Sequence, residues 1–177
     1  SNVKKIKVED KFLISNSKVG DFQIGEIVNM DISNGYIIEK ATRSEFIEGD
    51  TYEYPILKMS LNGDLHLSVQ TTSESKDDFE NSPIQEITVI SNKYLTNEGI
   101  GVGSTIKEFF EEYPNSELYH YVETNQYCIR NNSTTYFLTS EDFIGKIDWD
   151  NQESHLVAKL KVSDFKTDSK ISQIIVY

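Results

Sequence analysis

Three histidines, His66, His120 and His155, and one cysteine, Cys128, are the side chains here with the plainest capacity for nucleophilic, proton-transfer or metal chemistry. Zinc enzymes set ligating histidines at fixed helical spacing, and no His-Glu-x-x-His or comparable pattern occurs. No Gly-x-Ser-x-Gly elbow marks a serine nucleophile. Cys128 stands alone, so neither an intrachain disulfide nor a thiolate cluster can be built from it. Its setting, Gln126-Tyr127-Cys128-Ile129-Arg130, reads as a strand in which a small residue is buried. With 29 Asp and Glu, no pair of carboxylates is singled out as acid and base. Two acidic runs, 73–83 and 148–153, offer oxygen donors but lack the spacing, the glycine and the distal glutamate of a helical calcium loop, so both read as solvated loops. The expectation is a protein that is not an enzyme, with no catalytic residue, metal site or cofactor. A hydrolase built around His120 or His155 is kept as an alternative.

The strongest local signal is Gly99-Ile100-Gly101-Val102-Gly103-Ser104-Thr105, which runs into Ile106-Lys107-Glu108-Phe109-Phe110. Glycine reaches backbone conformations closed to Ile or Val, so the stretch reads as a hinge. Thr105 and Glu108 have capping-box spacing, and Ile106, Phe109 and Phe110 share one helical face. Pro114 ends the helix. The glycine spacing matches neither dinucleotide nor nucleoside-triphosphate loops, and no lysine closes it.

What positions these residues follows from the whole chain. A composition with 37% hydrophobic residues, 10 Tyr and 9 Phe belongs to a folded protein. A formal charge of -12 repels nucleic acid and anionic lipid, so nucleic acid is excluded as a partner. No stretch approaches the roughly 20 apolar residues of a membrane helix. The chain opens Ser1-Asn2, which reads as a protease-cleavage scar and leaves room for an export leader, now removed, or a lipid anchor.

Internal similarity organises the rest. Phe22-x-Ile24-Gly25 echoes Ile100-x-Val102-Gly103, which places a second short helix from Glu26, with Val28 and Ile32 on its apolar face. Ile84-x-x-Ile87-x-Val89 recurs as Ile171-x-x-Ile174-x-Val176. Strand-like runs follow each helix: 36–41, 52–60, 65–71 and 84–90 in the first half, then 117–123, 126–130, 134–139, 156–162 and 171–177. Asn62-Gly63 is a hairpin turn. The expected organisation is a tether and edge strand over 1–17, a first αβ repeat over 18–92 and a second over 93–177.

Alternation along the strands sets which side chains share a face. Leu156, Ala158, Leu160 and Val162 fall on one side of theirs; Leu118, His120 and Val122 oppose Tyr119 and Tyr121 on another. With the aliphatic side buried, Tyr119 and Tyr121 lie on an open sheet surface, where tyrosine offers large contact area and a polar handle. They are the candidate binding residues.

The runs Ile87-Thr88-Val89-Ile90-Ser91, Tyr94-Leu95-Thr96 and Gly99 to Thr105 resemble a pattern in uncharacterised exported proteins and lipoproteins of Gram-negative bacteria. The duplicated helix-plus-strands pattern is similar to the β-lactamase-inhibitor-protein-like fold, also used by outer-membrane assembly lipoproteins of the BamE type. The resemblance implies an α+β fold of two tandem helix-plus-antiparallel-sheet repeats sharing a sheet. It also implies a periplasmic or outer-membrane location and a non-catalytic role binding an envelope protein or glycan. One cysteine replaces the disulfide-braced halves of the inhibitors, so inhibition of a β-lactamase is not implied.

Overall fold

The computed structural model describes residues 7–30 and 34–177. Its strands, in chain order, are β1 (Ile14–Ser15), β2 (Lys18–Val19), β3 (Phe22–Gln23), β4 (Ile37–Ile47), β5 (Asp50–Leu61), β6 (Asp64–Thr71) and β7 (Ile84–Val89). Helix α1 (Ile106–Glu112) separates these from β8 (Glu117–Tyr121), β9 (Gln126–Asn131), β10 (Thr134–Leu138), β11 (Val157–Leu160) and β12 (Ile171–Val176). A small sheet runs β1-β2-β3 and a nine-stranded one runs β11-β8-β9-β10-β12-β7-β6-β5-β4. Every strand pairing is antiparallel.

One row of residues explains why the large sheet has a buried side. Across the ladders, Leu160 faces Leu118, then Ile129, Tyr136, Ile174, Val89, Leu67 and Met59 in turn. All are buried and belong to one core cluster. Because side chains alternate, the next row lies on the other face: Glu117, Arg130, Thr135, Ile175, Thr88, Ser68, Lys58 and Glu39. That face carries polar and charged groups between its few apolar ones.

The core face is covered by α1, by the β1–β3 segment and by aromatic side chains from the loops. Ile106 and Phe109 of α1 are buried, while Lys107, Glu108, Glu111 and Glu112 are exposed. Phe109 meets the rings of Tyr136, Tyr113 and Phe110 at 4.7, 5.1 and 5.4 Å. The helix begins as its sequence dictates: the Glu108 N–H donates to Thr105 Oγ1 at 3.1 Å, and the Thr105 N–H donates to Glu108 Oε2 at 2.7 Å. These bonds, first of all the one from the Thr105 backbone, hold the Glu108 carboxyl below the usual carboxylate range. Thr105→Ala is expected to destabilise the protein by about 1 kcal/mol in urea unfolding, with Thr105→Ser close to the parent.

Two tandem helix-plus-sheet repeats are not what the chain forms. Among the described residues there is a single α-helix, and the protein is mostly β. Where a second helix was expected from Glu26, the backbone is spent on sheet-like contacts: the Gly25 N–H donates to the Ile84 carbonyl, the Ile84 N–H donates to the Glu26 carbonyl, and Ile27 bridges Pro83. Ile32 lies outside the described residues, as does most of the Lys-rich lead. The echo around Gly25 therefore marks a turn, with no Thr-x-x-Glu cap to start a helix there. The other repeated motif falls on β7 and β12, which are neighbours at the sheet centre, Ile174 against Val89. Both have the same sequence of buried and exposed positions. The Leu156–Val162 strand is shorter than expected; Ala158 and Leu160 are buried, Leu156 and Val162 exposed.

His66 is buried at 2% exposure against the rings of Tyr94 and Phe12, with no partner for Nδ1. Burial first, then the nearby charge of Lys93, lowers its pKa. Burial also lowers that of His120. An unfolded histidine takes up a proton near pH 6.5 that these sites resist. The stability these two histidines contribute is therefore present above about pH 6.5 and is lost as the pH drops below it, because the unfolded chain binds more protons. His66→Phe, which keeps the ring and removes the titration, is expected to flatten the acid side of a stability-versus-pH curve measured by urea unfolding. An unchanged curve would remove His66 from the account.

Candidate functional site: the open face of the sheet

Tyr119 and Tyr121 lie on the face opposite the core, half-exposed, with ring centroids 6.2 Å apart. Their neighbours Leu118 and His120 point inward; the His120 ring stacks on Tyr127 at 4.3 Å. The Tyr119 hydroxyl donates to the Glu117 carboxylate, which also accepts from Lys159 Nζ at 2.7 Å. The bond to Glu117 pushes the Tyr119 pKa up to about 12. Arg130 Nη1 donates to the Tyr121 hydroxyl at 3.2 Å.

The face continues into two adjoining hollows. One, of about 270 Å³, is lined by Tyr121, Arg130, Cys128, Thr135 and Phe137 among others. The second, of about 380 Å³, shares Thr124, Gln126, Phe137 and Tyr177 with the first and adds Ile175 and Glu86. Its far wall is Arg43, Glu45, Phe46 and Ile47 of β4. β4 reaches there because it and β5 pair through Ile47 and Asp50, whereas β6 accompanies β5 only from Leu57 onward. The hairpin arm beyond β6 closes through Glu48 and Gly49, both at positive φ. This two-residue turn suits the twist of the strands.

Arg43 anchors the arm. Its Nη1 donates to Glu86 at 2.9 Å, Nη2 donates to Gln70 at 2.8 Å, Nε sits 3.3 Å from Glu45, and the guanidinium lies over the Tyr54 ring at 5.4 Å. The chain has two arginines, and both face this cleft. Sequence reasoning singled out Tyr119 and Tyr121 but not Arg43, Phe46 or Phe137. The scarcity of arginine, 2 among 17 basic residues, is the signal that could have found Arg43; nothing comparable marks Phe46 or Phe137.

The two hollows are lined by hydrogen-bonding and aromatic side chains. Cys128 is buried on this side of the sheet, and burial pushes its thiol up to about 11, which leaves it a poor nucleophile. Burial, then the charge of Glu86, raises Tyr177 to about 12. The histidines do not converge here, and among the described residues no three His, Cys, Asp or Glu side chains are placed to hold a metal ion. No helix among them is long and apolar enough to cross a membrane.

No family model matches this chain, and no curated protein does. Among solved structures it is similar to the uncharacterized protein yfeY from Escherichia coli, with a TM-score of 0.40 and 11% identity, covering 79% of each chain.

Proposed function

We propose that the protein is a non-catalytic component of the bacterial envelope that binds or scaffolds another envelope component through the open face of its large sheet. The observation that carries this reading is the concentration of interface-type side chains on one face of an acidic protein: both arginines, Tyr54, Tyr119, Tyr121 and Phe137. Arginine and tyrosine dominate the energetics of protein interfaces, because each buries wide area while keeping hydrogen-bonding atoms. The envelope location, periplasmic or on a lipid anchor, rests on the sequence resemblance over 87–105. A glycan or small-ligand receptor is the second reading. It is favoured by a separate hollow of about 220 Å³ lined by Asn16, Asn97, Asn131, Asn132 and Tyr113, since amides and a tyrosine ring suit sugar hydroxyls.

The test is quantitative affinity capture from detergent-solubilised envelope, comparing the parent with Tyr119→Ala/Tyr121→Ala. A component retained at least about tenfold more by the parent is expected. Equal retention by both would remove the open face from the reading. Binding to immobilised glycans that Asn131→Ala weakens and the tyrosine changes leave intact would establish the second reading instead.

A further inference from the structure

We propose that the open-face cleft takes an extended polypeptide segment that adds as a tenth strand along the free edge of β4 and delivers one carboxylate to Arg130. This rests on the open-face reading and specifies its occupant. Glu45, Phe46 and Ile47 are consecutive, so their side chains leave β4 on alternate faces, yet all three line the same cleft. A cavity touched from both faces of a strand meets it at its edge. That edge has no strand partner among the described residues and runs for 11 residues. The opposite edge is different: β11 has 4 residues, and the Lys159 N–H is already satisfied by Gln152 Oε1 at 2.8 Å. Long unpaired edges recruit strands, and adjacent pockets then select side chains.

The pockets define the segment's chemistry. Phe137 and Ile175 form an apolar floor beside β4, while Thr124 and Gln126 opposite it offer polar atoms to a peptide backbone. The two arginines are not equivalent. Arg43 is held by Glu45, Glu86 and Gln70, whereas Arg130 is exposed and its one side-chain hydrogen bond among the described residues is to the Tyr121 hydroxyl. A carboxylate is the natural complement of a guanidinium with spare parallel donors. The charge of -12 repels a polyanionic tract or a second copy of this chain, which favours a segment that is apolar at alternate positions and singly charged.

Short random peptides displayed on phage, selected on the full chain and resynthesised free, provide the probe. The expected sequences alternate apolar residues with a single Asp or Glu. Their binding protects amides of β4 in hydrogen exchange, is lost when the peptide backbone is N-methylated at alternate positions, and weakens about tenfold or more in Arg130→Leu. Peptides that bind with β4 unprotected and tolerate N-methylation would overturn strand addition. Enriched peptides without a carboxylate, or indifference to Arg130→Leu, would overturn the carboxylate. Failure to select any peptide, while envelope capture still depends on Tyr119 and Tyr121, would overturn the polypeptide occupant and leave the open face standing. Capture indifferent to those tyrosines is the separate failure of the open-face reading.

Discussion

Phe109→Ala is expected to cost about 3–5 kcal/mol, the largest loss of any single truncation considered for this protein. Phe109 is fully buried and, with Ile106, anchors α1 against the core; its ring meets Tyr136 of β10 and Tyr113 at the helix's own C-terminal end. Removing the ring strips apolar contact and opens a space between a seven-residue helix and a strand held in place by two neighbours on the sheet. A helix this short has little stability of its own, so the contact holds it in place. Urea unfolding followed through the single tryptophan, Trp149, which packs against the core, measures the change. Phe109→Leu should recover most of it, because the space is largely refilled. A loss below about 1 kcal/mol for the alanine variant would mean that α1 is dispensable to the core.

Gly101→Ala is the second large effect, and its cause is space rather than backbone conformation. A Cβ at Gly101 would lie 2.3 Å from the Tyr94 carbonyl oxygen and 2.7 Å from Leu95 Cδ2. The nearest obstacle is backbone and cannot rotate away, so the 99–103 hinge must move off the Leu95 segment that it bridges. The Tyr94 ring is itself buried against Phe12 and His66, and its hydroxyl is paired with that of Tyr36, so the obstacle cannot retreat inward. A cost of about 3 kcal/mol follows, which for a chain of this size lowers the melting temperature by about 10 °C. Gly49→Ala is the matched control. Nothing lies within 4 Å of a Cβ there, and only its φ of +96° is unfavourable, so the expected loss is about 1 kcal/mol. Equal effects at the two positions, measured by thermal unfolding, would show that crowding at Tyr94 is not the cause.

The legible parts of this fold share a property: each is encoded within a few residues. The capping box needs only Thr105 and Glu108, three positions apart, and the Asn62-Gly63 turn supplies two positive φ angles where the hairpin demands them. Period-two burial along β8 announced that Tyr119 and Tyr121 would face away from Leu118 and His120, whichever way the strand turned. The β7 and β12 motifs carried their burial pattern in the spacing of their isoleucines and valines.

The failures share a property as well. The stretch from Thr42 to Tyr52 has no core to face and little hydrophobic alternation, so it does not read as strand; pairing of β4 with β5, and the Arg43 contacts with Glu86 and Gln70, hold it extended. Near Gly25 the local sequence resembled a helix start, but hydrogen bonds to Ile84, far along the chain, outcompeted a turn of helix that had no cap. The candidate site is the extreme case. Arg43, Glu86, Arg130 and Tyr121 belong to four different strands, and their meeting depends on strand order and on how far one hairpin outruns its neighbour. By itself the sequence determined the local starts, the turns and the two-sidedness of the strands, because propensity and alternation act over a few residues. Only the tertiary structure decided that one long edge and two arginines would share a cleft, because that juxtaposition is made by long-range pairing, which leaves no mark in any short window of sequence.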